Sequence, residues 1–179
     1  GYELCETPKD RSLFELVQNV AAVSNTAALA AMNREAASLG YRVVDIGNAR
    51  YDAPSELIQA MLSALAPRTV VIAGGESTMK VTQAGGKGGR CTYLALAALT
   101  HLGEHDIFLP FASDGIDNSD AAGALVDTST LQHLQSRQAP IDDALARFDT
   151  YDLLAATNDL LFTGPTEANV SDLYLALRV

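Results

Sequence analysis

The sequence predicts an α/β fold: a single domain with a mixed, mostly parallel sheet flanked by helices. Three observations predict it. Short apolar, β-branched runs alternate with alanine-rich stretches of strong helix formers. The run Thr69 to Ala73 is apolar after its first residue, the pattern of a strand buried on both faces of a sheet. The later strand-like runs lie too close together for every connection to contain a helix, which makes the sheet mixed.

Taken in order, residues 25–39 are rich in helix formers, with Gly40 placed where a left-handed cap ends a helix. Tyr41 to Ile46 is β-branched and stops at Gly47, a strand. Pro54 to Leu65 has helical spacing with Ser55 and Glu56 in its first turn. Thr69 to Ala73 runs directly into Gly74 and Gly75, and Met79 to Thr82 reads as a further strand. Gly85 to Gly89 must be a loop, and Thr92 to Leu102 is a buried helix ended by Gly103. Ile107 to Ala112 is a strand, and Pro110 argues for its edge position or its end, because proline cannot donate to a ladder. After the polar loop Ser113 to Asp120, Ala121 to Val126 fits strand or helix equally. Thr130 to Gln135 and Ile141 to Ala156 read as helices, and Leu160 to Thr163 and Leu173 to Val179 as closing strands. Loops at strand C-terminal ends are the expected site.

With 179 residues, 48% of them apolar, the chain can bury one substantial core. Its 22 acidic against 12 basic residues give a net charge of −10, a field that repels nucleic acid and anionic lipid; neither is an expected partner. Any bound phosphate must be held locally. Cys5 and Cys91 have neither CxxC nor Cys/His spacing, so no zinc site or redox pair is signalled and a reduced compartment fits. No apolar run approaches the roughly 18 residues of a membrane span, and residues 1–20 lack the order of a signal peptide; a soluble cytoplasmic protein is expected. The chain opens on Gly1, and Gly1 to Asp10 shows no element start. The expected organisation is a lead-in from a preceding domain over 1–24 and one α/β domain over 25–179.

Three clusters carry chemistry. Gly74 to Arg90 concentrates six of the 13 glycines with Glu76, Lys80, Lys87 and Arg90. Glycines let a backbone approach a phosphate, and a helix from Cys91 would offer free N–H groups. P-loop and Rossmann fingerprints both fail here, so an anion cradle and a plain hairpin loop stay open. In the second cluster Asp114, Asp117 and Asp120 recur at three-residue intervals; such carboxylates bind Mg²⁺ or orient a hydroxyl, or simply cap turns. In the third, Gly164-Pro165 forces a turn from which Thr166, Asn169 and Asp172 can face inward, or which is an ordinary loop. His101 and His105 have metal-ligand spacing, but Gly103 interrupts the helix that would align them.

In this order the clusters resemble the MOFRL domain of type 2 glycerate kinases, also called hydroxypyruvate reductases, nearly end to end. The resemblance rests on Glu6 to Lys9 (ETPK), Ser24-Asn25, GGEST at Gly74 to Thr78, GGKGGR at Gly85 to Arg90, SDGIDNSDAAGA at Ser113 to Ala124 and TGPTEANVSD at Thr163 to Asp172. Cys91-Thr92-Tyr93 departs from the family's Asn-Gln-Glu, Glu167-Ala168 from its Gly-Thr, and Phe148 from its usual Asn.

The resemblance implies ATP-dependent phosphorylation of a hydroxyl of D-glycerate, in a cleft shared with an N-terminal kinase domain that carries the catalytic lysine. It implies ATP and Mg²⁺ as cofactors. Arg90, Asp114 and Glu76 become the catalytic candidates, Arg90 and Asp114 foremost, with Asp114 and Asp117 the candidates for Mg²⁺. Gly74, Gly75, Lys87, Gly88, Gly89, Thr163, Gly164, Thr166 and Asn169 become the substrate and phosphate contacts. Two other readings stand beside it: a free-standing, non-catalytic binding or regulatory module, and a reductase whose dinucleotide site lies elsewhere.

Overall fold

A computed structural model describes residues 6–18, 20–48, 50–81 and 85–179; Cys5 lies outside them. Every described residue from Glu6 to Val23 is exposed, a short 3-10 helix Arg11–Phe14 included. Helix α1 (Asn25–Ser38) starts on Ser24, whose side chain accepts from the Ala27 N–H at 3.2 Å, and ends before Gly40 at φ +82°. Strand β1 (Arg42–Asp45) leads to α2 (Pro54–Ser63), with proline in its first turn, and then to β2 (Thr69–Gly75), buried throughout. Helix α3 (Arg90–Ala98) follows the glycine-rich loop and precedes β3 (Asp106–Ala112) and the two-residue β4 (Gly123–Ala124). Helices α4 (Thr128–Ser136), α5 (Ile141–Ala146) and α6 (Tyr151–Thr157), then β5 (Leu160–Leu161) and β6 (Asp172–Arg178), complete the chain.

Among the described residues the strands form one six-stranded sheet in the order β1-β2-β6-β3-β4-β5. Alternate residues of β2 face opposite layers. Val70 and Ile72 pack with Leu29 of α1 on one face, and Val71 and Ala73 with the larger core of α2 to α6 on the other. That core is built around Phe108, Tyr174, Leu57, Met61 and Leu94, all fully buried.

The sheet is mixed, as expected, but it is not mostly parallel in its pairing. Only β1 and β2 pair in parallel; the other four ladders are antiparallel. The cause is β6, which inserts between β2 and β3 and runs against both. Nor is Pro110 at an edge, since β3 pairs with β6 along its length and with β4 on its other side. Phe108 and Ala112 donate their N–H groups to Val126 and Ala122 at 2.9 and 2.7 Å. Pro110 falls between them on the same side, opposite a strand too short to require a third donor.

Two further expectations change. Met79 to Val81 forms no strand, and Thr82 lies outside the described residues. The expected helix Ile141 to Ala156 breaks at Arg147 to Thr150, because the glycine loop docks there: the Gly86 N–H donates to the Arg147 carbonyl, and the Tyr151 N–H to the Lys87 carbonyl, both at 3.0 Å. Ala121 to Val126 resolves as extended chain, for β4 needs to reach both β3 and β5.

At the opposite end of the sheet from the motifs, Asp106 is buried and receives Arg178 in a two-point pair at 2.6 and 2.9 Å, plus the Gly103 N–H at 2.9 Å. Chiefly the Arg178 hydrogen bond holds the Asp106 carboxyl below the usual carboxylate range. A depressed folded value gives stability that is complete above the unfolded value and lost as pH falls through the folded one. Asp106→Asn should therefore lower unfolding free energy by about 1–3 kcal/mol at neutral pH. In denaturant titrations its deficit should shrink as pH drops from about 5 towards 2; a deficit constant with pH would show that the pair contributes nothing through its charge.

Candidate active site

The strand register brings the motifs together. Asp172, first residue of β6, pairs with Gly75 on one side and Ala112 on the other. The ends of β2 and β3 and the start of β6 thus meet at one sheet edge, with Glu76 and Ser113 one residue beyond it. Arg90, first residue of α3, reaches over this edge. Its Nε donates to Asp172 Oδ2 at 3.0 Å, and another guanidinium nitrogen lies 2.9 Å from Glu76 Oε1.

The Asp172 side chain is only 3% exposed, whereas that of Arg90 is 40% and that of Glu76 50% exposed. A buried carboxylate therefore anchors a cation that still faces solvent. Burial pushes the Asp172 carboxyl up, against the opposing pull of Arg90, and its charge in turn keeps Arg90 firmly protonated despite partial desolvation. Tyr174 completes the anchor. Its buried phenol accepts from the Ser77 N–H at 3.1 Å and donates to Asp172 Oδ2 at 3.4 Å, which ties the Glu76 loop to the same carboxylate. Burial, then the Asp172 charge, drives the phenol far above its ordinary pKa.

The N-terminus of α3 is already occupied, which decides against the anion cradle that the glycines had left open. Asp117 fills it. Its buried carboxylate accepts from the Cys91 and Thr92 N–H groups at 3.1 and 2.8 Å and from the Thr92 hydroxyl at 3.2 Å. Burial still raises the Asp117 carboxyl, outweighing these hydrogen bonds. The close approach also explains Gly89, where any Cβ would run into the Asp117 carboxylate. Gly88 stands at φ +143° against Thr150, and its carbonyl receives Asn118 at 3.0 Å.

Asp114 is held differently. Its Oδ1 accepts from the Ile116 N–H at 3.1 Å, its Oδ2 from the Asn169 side-chain amide at 3.0 Å, and its carbonyl from the Thr166 N–H at 3.0 Å. The third cluster is therefore a brace for the second. Thr166 adds a hydrogen bond to the Ser113 carbonyl, and Gly164 lies so close to Gly115 that a Cβ there would strike its carbonyl.

Two hollows result, with Glu76, Arg90 and Ile116 lining both. A cleft of about 860 Å³ is lined by Glu76, Arg90, Gly85, Gly88, Gly89, Asp117 and a set of apolar side chains. A smaller hollow of about 100 Å³ on the other side of Arg90 and Glu76 is lined by Asp114, Asn169 and Asp172. The structure thus gathers Glu76, Arg90, Asp114 and Asn169 around the smaller hollow, whereas Thr166 and Gly164 line neither hollow and only brace the Asp114 loop. Gly74 and Gly75 sit inside β2, packed against Asn25 and the Arg50 backbone, and line neither hollow. Thr163 bonds to the Gly164 carbonyl at 2.8 Å and also stays outside. The Lys87 ammonium rests 3.3 Å above the Tyr151 ring and 3.6 Å from Asp120, off the cleft wall. His101 and His105 are exposed, and among the described residues no group of three or more His, Cys, Asp or Glu could hold a metal ion. No helix of the described residues is long and apolar enough to cross a membrane.

The MOFRL family pattern matches residues 69–172, from the start of β2 to the first residue of β6, a span that contains each of these loops. The chain belongs to the MOFRL family. It is 30% identical to a glycerate 2-kinase of Pyrococcus horikoshii over 90% of its own length and 39% of that protein's. A D-glycerate 2-kinase of Thermotoga maritima is 39% identical over 61% of this chain and 27% of its own. The crystal structure of a glycerate kinase from Thermotoga maritima superposes with a TM-score of 0.82 at 30% identity, covering 87% of this chain and 41% of that one. A solved protein of Pyrococcus horikoshii OT3 gives 0.84 at 28% identity over 91% and 40%. This MOFRL chain therefore spans about 40% of the length of the relatives it matches over most of its own.

Sequence reasoning missed Tyr174, the anchoring role of Asp172 and the capping role of Asp117. One signal was available for Asp117: a carboxylate a short loop away from a helix start that offers no Ser, Thr, Asp or Asn cap of its own. The MOFRL departure at Cys91-Thr92 is absorbed structurally. Cys91 is fully buried, with burial raising its thiol pKa, and Thr92 accepts from the Gly89 N–H at 2.8 Å. Asp117→Ala should lower stability by about 2 kcal/mol, since buried α3 N–H groups lose their acceptor. Thermal denaturation checks this; an unchanged midpoint would mean that water replaces the carboxylate without cost.

Proposed function

We propose that this chain forms one wall of the active site of a glycerate kinase, which transfers phosphate from ATP to a hydroxyl of D-glycerate. The facing wall comes from a kinase domain on its N-terminal side in the same polypeptide, reached through the segment Glu6 to Val23, whose described residues are all exposed. One observation carries the reading: Arg90, Glu76 and Asp114 converge on a single hollow in a chain similar over 90% of its length to a glycerate 2-kinase.

Phosphoryl transfer depends mainly on position and charge neutralisation, and the site is built for both. Arg90 presents a planar fork to the glycerate carboxylate or to a transferring phosphoryl group, aimed by its anchor on Asp172. Asp114, kept in place by Asn169 and the Ile116 N–H, accepts the hydrogen bond of the attacking hydroxyl. Glu76 flanks Arg90 from the solvent side.

The carboxylates present fit Mg²⁺, which takes one or two protein carboxylates and completes its shell with water and substrate phosphates. Asp117 is committed to α3 and Asp172 is buried against Arg90, so the more exposed Asp114 and Glu76, which line the smaller hollow and keep lone pairs beside their present partners, would hold the ion. When bound, it would neutralise phosphate charge during transfer.

Glycerate-dependent ATP consumption tests the proposal, measured on this chain and on the longest continuous reading frame that contains it. Activity confined to the longer form is the expected result; no activity and no glycerate binding in either would favour a non-catalytic module. In the active form, Arg90→Ala should lower kcat/KM about tenfold or more, on a scale of about 1.4 kcal/mol per decade. Circular dichroism would confirm that the variant is folded, and unchanged kinetics would remove Arg90 from the site.

A further inference from the structure

Phe148 occupies the left-handed region at φ 54°, where a bulky side chain is unfavourable and Asn or Gly is ordinarily found. It is the residue after the α5 cap, and the helix end itself sets this shape: the Phe148 N–H donates to the Leu145 carbonyl at 3.2 Å and the Asp149 N–H to the Ala144 carbonyl at 2.8 Å, while the glycine loop docks alongside. The Gly86 N–H donates to the Arg147 carbonyl and the Lys87 N–H to Asp149 Oδ1, each at 3.0 Å. Here the side chain lines the cleft of about 860 Å³, together with Tyr51, Met79, Val81 and Ile116.

Met79 packs against the core, but the other three neighbours do not belong to it. Tyr51 is 62%, Val81 57% and Ile116 51% exposed, an apolar wall left open to solvent in a chain whose other cleft wall carries Arg90 and Glu76. Tyr93 of α3 stacks on Phe148 with ring centroids 5.0 Å apart and planes 23° from parallel, so the Phe148 ring is held in one orientation. Cavities of roughly 300–1,000 Å³ hold ligands of many more atoms than a three-carbon acid, and they do so with apolar walls and a few polar groups. A small polar acid at Arg90 would leave this wall unused.

We infer that Phe148, positioned by Tyr93, determines specificity, and that the cleft takes an organic anion bearing a planar apolar group. The anionic head sits at Arg90 and the planar group lies on Phe148. The inference rests on the reading of Arg90 as the anion holder. Such a ligand has two sources: an acceptor acid with an aromatic substituent, or the base of the nucleotide donor.

NMR titration tests it, following the methyl signals of Met79, Val81 and Ile116. It uses the form of the protein that consumes ATP in the assay above, or the purified chain if neither form does. The probes are D-glycerate, 3-phenyllactate and adenosine monophosphate. Phe148→Asn suits the left-handed backbone and so keeps the turn, whereas Phe148→Tyr keeps the ring. At least one aromatic probe should move the Ile116 and Met79 signals and bind about tenfold or more tightly than D-glycerate. Phe148→Asn should lose about tenfold of that affinity while D-glycerate binding is unchanged, and Phe148→Tyr should retain it. A response to 3-phenyllactate assigns the ring to the acceptor; a response to the nucleotide assigns it to the donor. Equal weakening of all three probes by Phe148→Asn would show a purely structural role and overturn the inference. If D-glycerate binds and neither aromatic probe moves the wall signals, this inference falls while the acid site stands. If none of the three binds, both fall.

Discussion

Asp172 cannot remain charged in its buried position without a partner, and the site is arranged around that constraint. An unpaired buried carboxylate is costly, so Arg90 is drawn onto it from the start of α3, and the Tyr174 phenol from two residues along β6. Once Arg90 is anchored by its Nε side, the rest of its guanidinium is left facing Glu76 and solvent. The pair thus converts the burial of one acid into the aim of one base. It depends in turn on β6 lying between β2 and β3, because only that register sets Asp172 beside Gly75 and Ala112.

Asp117 has a comparable role in the neighbouring loop. The glycine-rich loop brings backbone close to the start of α3, an arrangement that commonly receives a phosphate. In this chain the anion there is internal. The carboxylate neutralises the helix start, locks the Ser113 to Asp120 loop against α3, and leaves Arg90 as the exposed positive group of the cleft. Gly88 and Gly89 are explained by this packing, since each permits an approach that a side chain would block.

The same loop shapes the opposite wall. Its docking on Arg147 to Thr150 breaks what would otherwise be one helix from Ile141 onwards and turns Phe148 towards the cleft, with Tyr93 behind it. A loop rich in glycine therefore does two mechanical tasks: it admits Asp117 on one side and clamps an aromatic turn on the other. The site is polar around Arg90 and Asp114 and apolar around Phe148, with Ile116 lining both hollows.

What local sequence determined is what local physics controls. Ser24, Pro54 and Gly40 mark helix ends through their own side-chain and backbone preferences, the run Thr69 to Ala73, apolar after its first residue, demands burial on both faces, and the ordered motifs resemble a family whose pattern spans residues 69–172. Arg90, Glu76 and Asp114 were legible as candidates through the resemblance of their ordered motifs to that family, since composition alone left each cluster open to a plain loop or turn. Tertiary structure alone decided the rest. The antiparallel insertion of β6, the interior place of Pro110 and the break at Phe148 follow from contacts between segments dozens of residues apart, which no local preference encodes. The same holds for the carboxylates: Asp114, Asp117 and Asp172 are chemically identical in sequence. Only packing made one a loop-held acceptor, one a helix cap and one a buried anchor, because a carboxylate's role depends on which donors and how much water surround it.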